Sequence, residues 1–404
     1  MIDVGAIEAA RARLAGSIYE TPCAHSRTLS ELTGTRCYVK LENLQMTGSF
    51  KERGAANLLL QLPAEDRARG VVAASAGNHG LAVAFHAARL GIPAVIVMPE
   101  WAPLIKVSSA RRSGADVILS GANFDEAYAH ARELEAARGH VFVHPFDDER
   151  VMAGQGTVGL EILEQCPDAD AVLVPVGGGG LIAGVATALK ARRPAIRVIG
   201  VQCAALPAMV RALEAGARVA VPAAATIADG IAVREVGERT LEHARKLVDR
   251  VVTVGEEELA NAILRLLEIE KTVVEGAGAA PLAALLHRGL GLEGSTVVLL
   301  LSGGNIDVTM LARIIERGLV KDGRMVRLTI VLRDRPGALA RITELIAEAR
   351  GNIVQIEHDR AFSSWVAIGE TEVEVTLETS GRDHIDALVA HLRGAGYRVD
   401  ERAG

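Results

Sequence analysis

The stretch NLQMTGSFKERGA holds a lysine, Lys51, among small and apolar residues at a predicted helix start. Ser49 and Glu52 have the spacing of a capping box with Ser49 as the N-cap, which puts Lys51 in the first helical turn. The positive end of a helix and burial both lower a lysine pKa, and the neutral amine is nucleophilic. An exposed lysine beside an ordinary cap explains the same residues, and taken alone it is the commoner case.

A second motif, SAGNHG at Ser75–Gly80, directly follows the apolar run Val71–Ala74 and precedes a helical pattern. Backbone N–H groups at such a strand-to-helix turn suit an anion such as a carboxylate. The Asn78 amide can donate and accept hydrogen bonds to a polar ring substituent. A plain turn capped by asparagine is an equally good explanation of this motif alone.

Four consecutive glycines, Gly177–Gly180, stand between a predicted strand and a predicted helix. Without Cβ atoms, such a loop can wrap closely around a phosphate and donate several N–H groups. Gly178, Gly180 and Ala183 match the GxGxxA dinucleotide pattern, but the next strand ends in Gln202, where an acid would hold the ribose. The Walker lysine is absent as well, so a monophosphate fits better than NAD or ATP.

The motif LLLSGGN, at Leu299–Asn305, again follows a predicted strand. The Ser302 hydroxyl would lie at the carboxyl edge of the sheet and could bond a neutral ring nitrogen, although an N-cap serine is the alternative. Each motif has an ordinary explanation by itself. Together they supply a nucleophilic amine, a phosphate loop, a carboxylate-binding turn and a hydroxyl for a heterocycle, which is the set that pyridoxal phosphate needs.

These motifs lie at the ends of short apolar runs that alternate with helical patterns between about residues 69 and 317. The alternation predicts a parallel sheet covered by helices on both faces, with ligands bound at the carboxyl ends of the strands. The predicted strands are Val71–Ala74, Ala94–Met98, Val117–Leu119, Val141–Val143, Ala171–Val176, Val198–Val201, Val251–Val254 and Thr296–Leu301.

The pattern changes near residues 316–325. After them the predicted order is strand, helix, strand, strand, helix, strand, with the second strand at 352–360. This is the order of the ferredoxin-like motif, so we expect a separate domain of about eighty residues from Val326 to the end.

The composition excludes several classes of function. The net charge of −6 and the pI near 6.0 argue against a general binder of nucleic acid or anionic membranes. No apolar run reaches the roughly 18 residues of a membrane span, and the first residues resemble an amphipathic helix, not a signal peptide. The scattered cysteines indicate reduced thiols in a cytoplasmic protein, without a disulfide framework or a zinc site. They are Cys23, Cys37, Cys166 and Cys203.

The motifs TGSFKERGA, SAGNHG, GGGGL and SGGN, in this order, closely resemble the fold-type II pyridoxal-phosphate enzymes of the threonine dehydratase (threonine ammonia-lyase) group. The resemblance covers roughly residues 15–318, and the C-terminal part resembles an ACT domain, a small-molecule regulatory module. It implies an α/β catalytic domain over residues 1–320, like tryptophan synthase β, with two open twisted α/β subdomains. A ferredoxin-like ACT domain over residues 326–404 would follow.

The resemblance implies a role for each matching residue. Lys51 would form the Schiff base with pyridoxal 5′-phosphate, Asn78 would bond the ring hydroxyl, and Ser302 would face the pyridine nitrogen. Phe50 would pack against the ring, and the phosphate would be held by Gly177, Gly178, Gly179, Gly180 and Leu181. The substrate carboxylate would be held by Ser75, Ala76, Gly77 and Asn78. Glu275–Ala279 resembles a segment that lines the ring pocket.

The chemistry of the group is a β-elimination. The substrate amine displaces Lys51, the freed lysine removes the α-proton, and the β-hydroxyl leaves as water. L-Threonine would give 2-oxobutanoate and ammonia. L-Serine is one methyl smaller, worth only ~1 kcal/mol in a pocket, and would give pyruvate. The role expected from the resemblance is the first step of isoleucine biosynthesis, with a catabolic threonine dehydratase and an L-serine dehydratase as alternatives.

Serine racemase resembles the same core but differs at two places. It takes its second acid/base from a serine in SSGNHG and binds a divalent ion through acidic residues after GVEP. Here those places hold Ala76 and GVQCAALPAM, which has no carboxylate, so elimination is favoured and no metal is expected. Cysteine synthase and threonine synthase share the fold but differ in their motifs, and a non-enzymatic scaffold would not need every cofactor-contacting position filled.

The C-terminal domain has two interpretations. It is a folding or dimerisation unit, or it forms an effector site for isoleucine or valine at a domain interface near Arg335, Pro336, Gly337, Ala338 and Leu339. Isoleucine binding would imply allosteric feedback on isoleucine synthesis. Exposed sheet edges favour a homo-oligomer, a dimer or a tetramer, in either case.

Overall fold

The chain divides into two compact units. A computed structural model describes residues 1–359 and 367–402, and internal contacts group Met1–Ile306 into a first unit and Asp307–Gly404 into a second. The predicted domain over residues 326–404 includes 360–366 and 403–404, which lie outside the described ranges. The last residue of the predicted strand 352–360 lies outside them too.

Ten strands of the first unit, every residue of which is described, form two sheets. They are β1 Cys23–His25, β2 Arg36–Lys40, β3 Val71–Ala74, β4 Ala94–Met98, β5 Asp116–Leu119, β6 Val141–Phe142, β7 Ala171–Pro175, β8 Arg197–Cys203, β9 Arg250–Val254 and β10 Thr296–Leu300. The eight strands predicted from the sequence are therefore confirmed to within two residues at each end. Strands β1 and β2 were not predicted.

The larger sheet has the order β1-β2-β10-β7-β8-β9, and its strands are parallel except for the antiparallel pair β1 and β2. Every residue of β7 and β10 is buried, which explains their unbroken apolar sequences. The smaller sheet has the order β5-β4-β3-β6 and is parallel throughout. The expectation of a single parallel sheet is wrong, because apolar runs identify strands without identifying their partners. The two sheets correspond to the two α/β subdomains that the resemblance implied.

The helices of the first unit cover both sheets. They are α1 Val4–Leu14, α2 Arg27–Thr33, α3 Lys51–Leu60, α4 Ala64–Arg69, α5 Asn78–Arg89, α6 Leu104–Arg112, α7 Phe124–Arg138, α8 Glu149–Gln165, α9 Gly180–Arg192, α10 Ala208–Ala215, α11 Glu238–Leu247, α12 Glu256–Ile269 and α13 Gly276–His287, with 3₁₀ turns at Glu42–Leu44 and Asp229–Ile231. Helices α5 and α9 begin shortly after the carboxyl ends of β3 and β7, so their first turns lie where parallel sheets bind ligands.

The second unit contains the predicted ferredoxin-like order. Its elements are α14 Val308–Lys321, β11 Met325–Arg333, α15 Ala338–Glu348, β12 Asn352–Asp359, β13 Glu370–Glu378, α16 Arg382–Gly394 and β14 Arg398–Arg402. The antiparallel sheet has the order β12-β13-β11-β14, and alternate residues of β13 are buried against the helices. Contacts group α14 with this unit, whereas the predicted catalytic domain extended to residue 320. The predicted domain limits remain a prediction.

Membrane-spanning helices and clustered metal ligands are both absent from residues 1–359 and 367–402. No helix in these ranges has both the length and the apolar character to cross a membrane. Nor do His, Cys, Asp and Glu side chains gather there in a group of three that could hold a metal ion.

Candidate active site

Lys51 is the first residue of α3, and its amine is held inside the first unit. Nζ donates a hydrogen bond to the carbonyl oxygen of Pro145 at 2.8 Å and lies 5.2 Å from the centre of the Phe50 ring. Burial lowers the pKa of Lys51 to about 8, while the Glu275 carboxylate acts in the opposite direction. The predicted lowering of this pKa is confirmed, and burial is its main cause.

The start of α3 differs from the predicted capping box. Phe50 occupies the N-cap position in a helical conformation and has no side-chain cap. The buried Ser49 hydroxyl has no hydrogen-bond partner among the residues that the structure describes. The Glu52 carboxylate accepts the N–H of Thr47. The capping-box prediction is wrong because the Ser49 backbone is paired with Gly303 in a short antiparallel bridge.

The loop Ser302–Asn305 lies against the loop that precedes α3. The Phe50 N–H donates to the Ser302 carbonyl oxygen at 3.0 Å, and the Gly304 N–H donates to the Gly48 carbonyl oxygen at 2.9 Å. Ser302 is buried. It is not an N-cap, because the next helix begins only at Val308 and Asp307 caps it. The ordinary explanation of this serine is therefore wrong.

Asn78 begins α5, and both ends of its side-chain amide have partners. Its Nδ2 donates to Glu275 Oε1 at 2.8 Å and to Oε2 at 3.1 Å, while its Oδ1 accepts from Asn305 Nδ2 at 2.9 Å. The SAGNHG loop, the SGGN loop and the start of α13 therefore meet at this side chain.

The turn Ser75–Gly77 uses some of its own amides. The Ser75 N–H donates to the Val97 carbonyl oxygen at 3.0 Å as an extension of the sheet, and the Gly77 N–H donates to Ser75 Oγ at 3.1 Å. Ala76 between them is partly exposed. No side chain caps the first turn of α5, a helix that is wholly described. Its first N–H groups are therefore available to an anion.

The four glycines form a tight loop in which no side chain fits. Gly179 has φ +98° and precedes α9 as its N-cap. A Cβ atom on Gly178 would lie 2.3 Å from Phe146 Cδ1, and one on Gly180 would lie 2.8 Å from the Phe146 carbonyl oxygen. A Cβ on Gly177 would meet backbone at 3.1 Å. The next residue, Leu181, is buried in the apolar core of the larger sheet.

The segment Pro145–Asp147 was missed in the sequence. Pro145 accepts the bond from the Lys51 amine, and Phe146 packs against the glycine loop. The Asp147 carboxylate accepts hydrogen bonds from the N–H groups at the start of α11, including that of Thr240 at 3.2 Å. The Thr240 hydroxyl in turn donates to the Gly178 carbonyl oxygen at 2.6 Å, which connects Asp147 to the glycine loop. The segment Pro145–Asp147 could have been found from its position just after β6, because parallel sheets bind ligands at the carboxyl ends of their strands.

Glu275 is the second group in the site with a strongly shifted pKa. Its side chain is buried next to Asn78, and burial, together with the charge of Asp229, raises the pKa of this carboxyl to about 7. The Asn78 hydrogen bond and the Lys106 and Lys51 charges act in the opposite direction. Sequence alone indicated only that this segment lines a pocket.

Gln202 stands where a dinucleotide-binding protein would place an acid. Its side chain is fully buried, and Oε1 accepts the N–H groups of Met209 and Val210 at 2.9 and 3.0 Å. It therefore caps the start of α10, which agrees with the preference for a monophosphate.

The residues present fit pyridoxal phosphate. The aldehyde needs an amine that is neutral at moderate pH, and burial gives Lys51 that property. The phosphate needs a loop of backbone N–H groups without side chains, and a Cβ at each position from Gly177 to Gly180 would meet other atoms at 3.1 Å or less. The same segment, Pro145–Phe146, contacts both features.

The fold and this site define a pyridoxal-phosphate dependent enzyme with a C-terminal ferredoxin-like domain. The family of that description matches residues 14–303, and the ACT domain family matches residues 326–393, so the chain belongs to the pyridoxal-phosphate dependent enzymes and carries a C-terminal ACT domain.

The chain is similar to three proteins whose functions are named. The chain is 52% identical to L-threonine ammonia-lyase of Geobacter sulfurreducens over 401 residues, which is 99% of each chain. It is similar to the processed threonine deaminase isoform 2 of Solanum lycopersicum, with TM-score 0.75 and 38% identity over 78% of this chain and 87% of that one. It is also similar to maize serine racemase, with TM-score 0.74 and 36% identity over 79% and 98%.

Proposed function

We propose that the protein is a pyridoxal-phosphate dependent ammonia-lyase that converts L-threonine to 2-oxobutanoate and ammonia, and L-serine to pyruvate and ammonia. The observation that carries the proposal is the Lys51 amine with its lowered pKa, held beside the glycine loop by one short segment. The full-length similarity to an L-threonine ammonia-lyase supports the choice of substrate.

Each residue of the site has a role in this proposal. The bound cofactor supplies an aldehyde that takes an amine and a ring that accepts electrons. Lys51 would hold it covalently, and Phe50 would pack against its ring. Asn78 would bond the ring hydroxyl, and Ser302 would bond the ring nitrogen. Its phosphate would be held by Gly177, Gly178, Gly179, Gly180 and Leu181.

The substrate carboxylate binds at the turn before α5. The Ser75 and Gly77 amides already have partners, so the Ala76 amide and the first turn of the helix at Asn78 are the donors for this anion. The Lys51 amine would be the base for the α-proton of the bound substrate, because its lowered pKa leaves it able to accept a proton near neutral pH. Loss of the β-hydroxyl as water and hydrolysis then give the 2-oxo acid and ammonia.

The test is an assay of 2-oxo acid release from L-threonine and L-serine, together with borohydride reduction and peptide mapping. We expect both substrates to react and the reduced cofactor to be attached to Lys51. Lys51→Ala should lose the activity and the label, and Lys190→Ala, on α9 at a partly buried ion pair with Asp249, should keep both. Failure of the wild-type protein to turn over either substrate would overturn the proposal.

Racemisation is the second candidate, because a serine racemase shares most of the fold. A racemase needs an acid/base on the second face of the substrate. Ala76 cannot carry a proton, so we expect elimination without release of the D-isomer. Chiral chromatography of L-serine and L-threonine reactions checks this, and a D-amino acid formed at a rate close to that of the 2-oxo acid would favour the racemase.

The second unit is proposed to bind isoleucine or valine near Arg335–Leu339. Arg335–Gly337 lie in the turn between β11 and α15, where Gly337 has φ +87° and Arg335 and Pro336 are exposed, and Ala338 and Leu339 begin the helix. Feedback by isoleucine would place the enzyme at the first step of isoleucine synthesis. Isoleucine titration of the activity decides: a fall in activity supports biosynthesis, and no change up to millimolar levels supports a catabolic role.

A homo-oligomer is proposed as well. In the ACT sheet β12 and β14 are the edge strands, and exposed edges pair readily with another chain. Light scattering of the purified protein should give a dimer or a tetramer, and a monomer at micromolar concentration would count against the proposal.

A further inference from the structure

Three side chains form a continuous hydrogen-bonded relay across the site. Asn305 Nδ2 donates to the Thr47 carbonyl oxygen at 2.7 Å and to Asn78 Oδ1 at 2.9 Å. Asn78 Nδ2 then donates to Glu275 Oε1 at 2.8 Å. The relay therefore connects the loop before the lysine helix, the SGGN loop, the start of α5 and the start of α13.

The direction of the relay follows from its two ends. A backbone carbonyl only accepts hydrogen bonds, so the NH₂ group of Asn305 must face Thr47. Its second N–H reaches Asn78, which turns the oxygen of that amide toward Asn305 and its NH₂ group toward Glu275. The Glu275 carboxyl has an accepting oxygen whether it is ionised or protonated, so it is compatible with the same orientation. Asn78 Nδ2 reaches both oxygens of Glu275, at 2.8 and 3.1 Å. Two oxygens of one carboxylate lie close together in direction as seen from the nitrogen, so they share a single N–H, and the other N–H of Asn78 remains for another acceptor.

Closely packed glycines surround both ends of the relay. Gly48 has φ +77°, and a Cβ there would lie 2.6 Å from Asn305 Oδ1. At the other end, a Cβ on Gly303 would lie 2.4 Å from Glu275 Oε1, and one on Gly230 would lie 3.2 Å from the same atom. The glycines at these positions leave just enough space for the two polar side chains, which restricts their rotamers.

We infer that Asn305 and Glu275 are positioning residues that hold the Asn78 amide with its remaining N–H directed to an acceptor on the bound cofactor. The inference rests on the proposed function in one respect, namely that Asn78 faces the ring hydroxyl of pyridoxal phosphate. An N–H donated to that oxygen stabilises its deprotonated form, because a charged acceptor takes the stronger hydrogen bond. A flipped amide would present its own oxygen to the ring and destabilise that form.

The test uses Asn305→Asp, which has nearly the same shape but places acceptors opposite Thr47 and Asn78. The matched control is Asn352→Asp in the second unit, where Asn352 Nδ2 donates to Glu378 Oε2 at 2.8 Å, a distance between the two made by Asn305. The dissociation constant of pyridoxal phosphate and the absorption spectrum of the bound cofactor are measured for each protein. We expect about a tenfold weaker affinity and a changed visible band for Asn305→Asp only, the effect of losing one charge-assisted hydrogen bond.

Two variants at Glu275 separate positioning from general damage. Glu275→Leu removes the acceptor and should show the same weaker affinity and changed visible band as Asn305→Asp. Glu275→Gln keeps an acceptor oxygen and should keep the wild-type spectrum. Circular dichroism confirms that the variants are folded before they are compared. An unchanged affinity and spectrum in both Asn305→Asp and Glu275→Leu would overturn the relay.

The outcome is independent of the proposed reaction. If the wild-type protein fails to deaminate L-threonine but the two variants still change the affinity and the spectrum, the reaction is wrong and the relay stands. If the wild-type protein is active and neither variant changes the bound cofactor, the relay is wrong and the reaction stands.

Discussion

The amine of Lys51 donates a hydrogen bond to the carbonyl oxygen of Pro145, 2.8 Å away in space and 94 positions along the chain. The contact joins the first residue of α3 to the segment that follows β6, and the next residue of that segment packs against the glycine loop. The segment after β6 therefore fixes the distance between the Lys51 amine and the glycine loop. This segment belongs to none of the sequence motifs.

The pKa of Lys51 predicts how fast the protein without cofactor captures pyridoxal phosphate. The neutral amine is the nucleophile, and the folded-state pKa is about 8, so the capture rate should rise about tenfold per pH unit below 8 and level off above it. Stopped-flow absorbance measures the rate. The Glu275 charge raises the pKa of Lys51, against the effect of burial. Glu275→Gln removes this charge, so the plateau of the capture rate should begin at a lower pH. A plateau beginning near the ordinary lysine value of 10.5 would contradict the burial of this amine.

The glycine loop predicts a sharp contrast between two alanine substitutions. Gly178→Ala would bring a Cβ within 2.3 Å of the Phe146 ring and should weaken cofactor binding at least about tenfold, with a loss of about 1–3 kcal/mol in unfolding free energy. Gly77→Ala adds a methyl group where no atom lies within 4 Å, at φ −131°, and should leave stability nearly unchanged. Equilibrium dialysis and urea denaturation compare the two. Equal effects would show that crowding at Phe146 is not the cause.

Glu275 predicts a pH dependence of stability in the protein without cofactor. Its pKa rises from 4.5 in an ordinary site to about 7, so the folded state binds more protons between these values and stability falls as pH rises through them. Glu275→Gln removes this penalty. The unfolding free energy of the variant relative to wild type should therefore increase by about 3 kcal/mol from pH 4.5 to pH 7 or above. Urea denaturation at several pH values measures it.

A buried ion network beside the lysine helix predicts a large loss of stability. Arg53 is fully buried and donates to both carboxylates, Glu42 and Glu161, with an Nη2–Oε1 distance of 2.7 Å to Glu42. Arg53→Met leaves these carboxylates undercompensated in the core and should cost about 3–5 kcal/mol. Arg11→Met breaks the exposed pair of Arg11 with Glu164 on the same helix as Glu161 and should cost less than about 1 kcal/mol. Similar losses in the two variants, measured by urea denaturation, would contradict the importance of burial.

Much of the fold could be predicted from local sequence because burial on both faces makes a parallel strand apolar throughout. The runs at β3, β4, β7 and β10 were found for that reason. Strand β2 was missed because it contains Arg36 and Lys40. Lys40 is fully buried but paired with Glu161, a partner that no local pattern indicates.

The residues of the candidate site also divide into those that local sequence marks and those that depend on distant contacts. Lys51, Asn78, the four glycines and Ser302 were singled out because each lies in a short motif at a strand or helix end. The capping box failed because the backbone bridge between Ser49 and Gly303 competed for the same residues. Pro145 and Phe146 take part through contacts with distant segments, and their residue types carry no chemical signal. Asn305 lay inside the SGGN motif but was given no role, because its partners Thr47 and Asn78 are remote in sequence.

The sequence by itself determined which groups are present: an amine at a helix start, a loop without side chains, and the amides and hydroxyl that follow the strands. These features are local, since spacing and residue type are enough to define them. Only the tertiary structure decided the state of those groups. The lowered pKa of Lys51, the raised pKa of Glu275 and the orientation of Asn78 depend on burial and on partners from remote parts of the chain, because desolvation and hydrogen bonding act across space, whatever the separation in sequence.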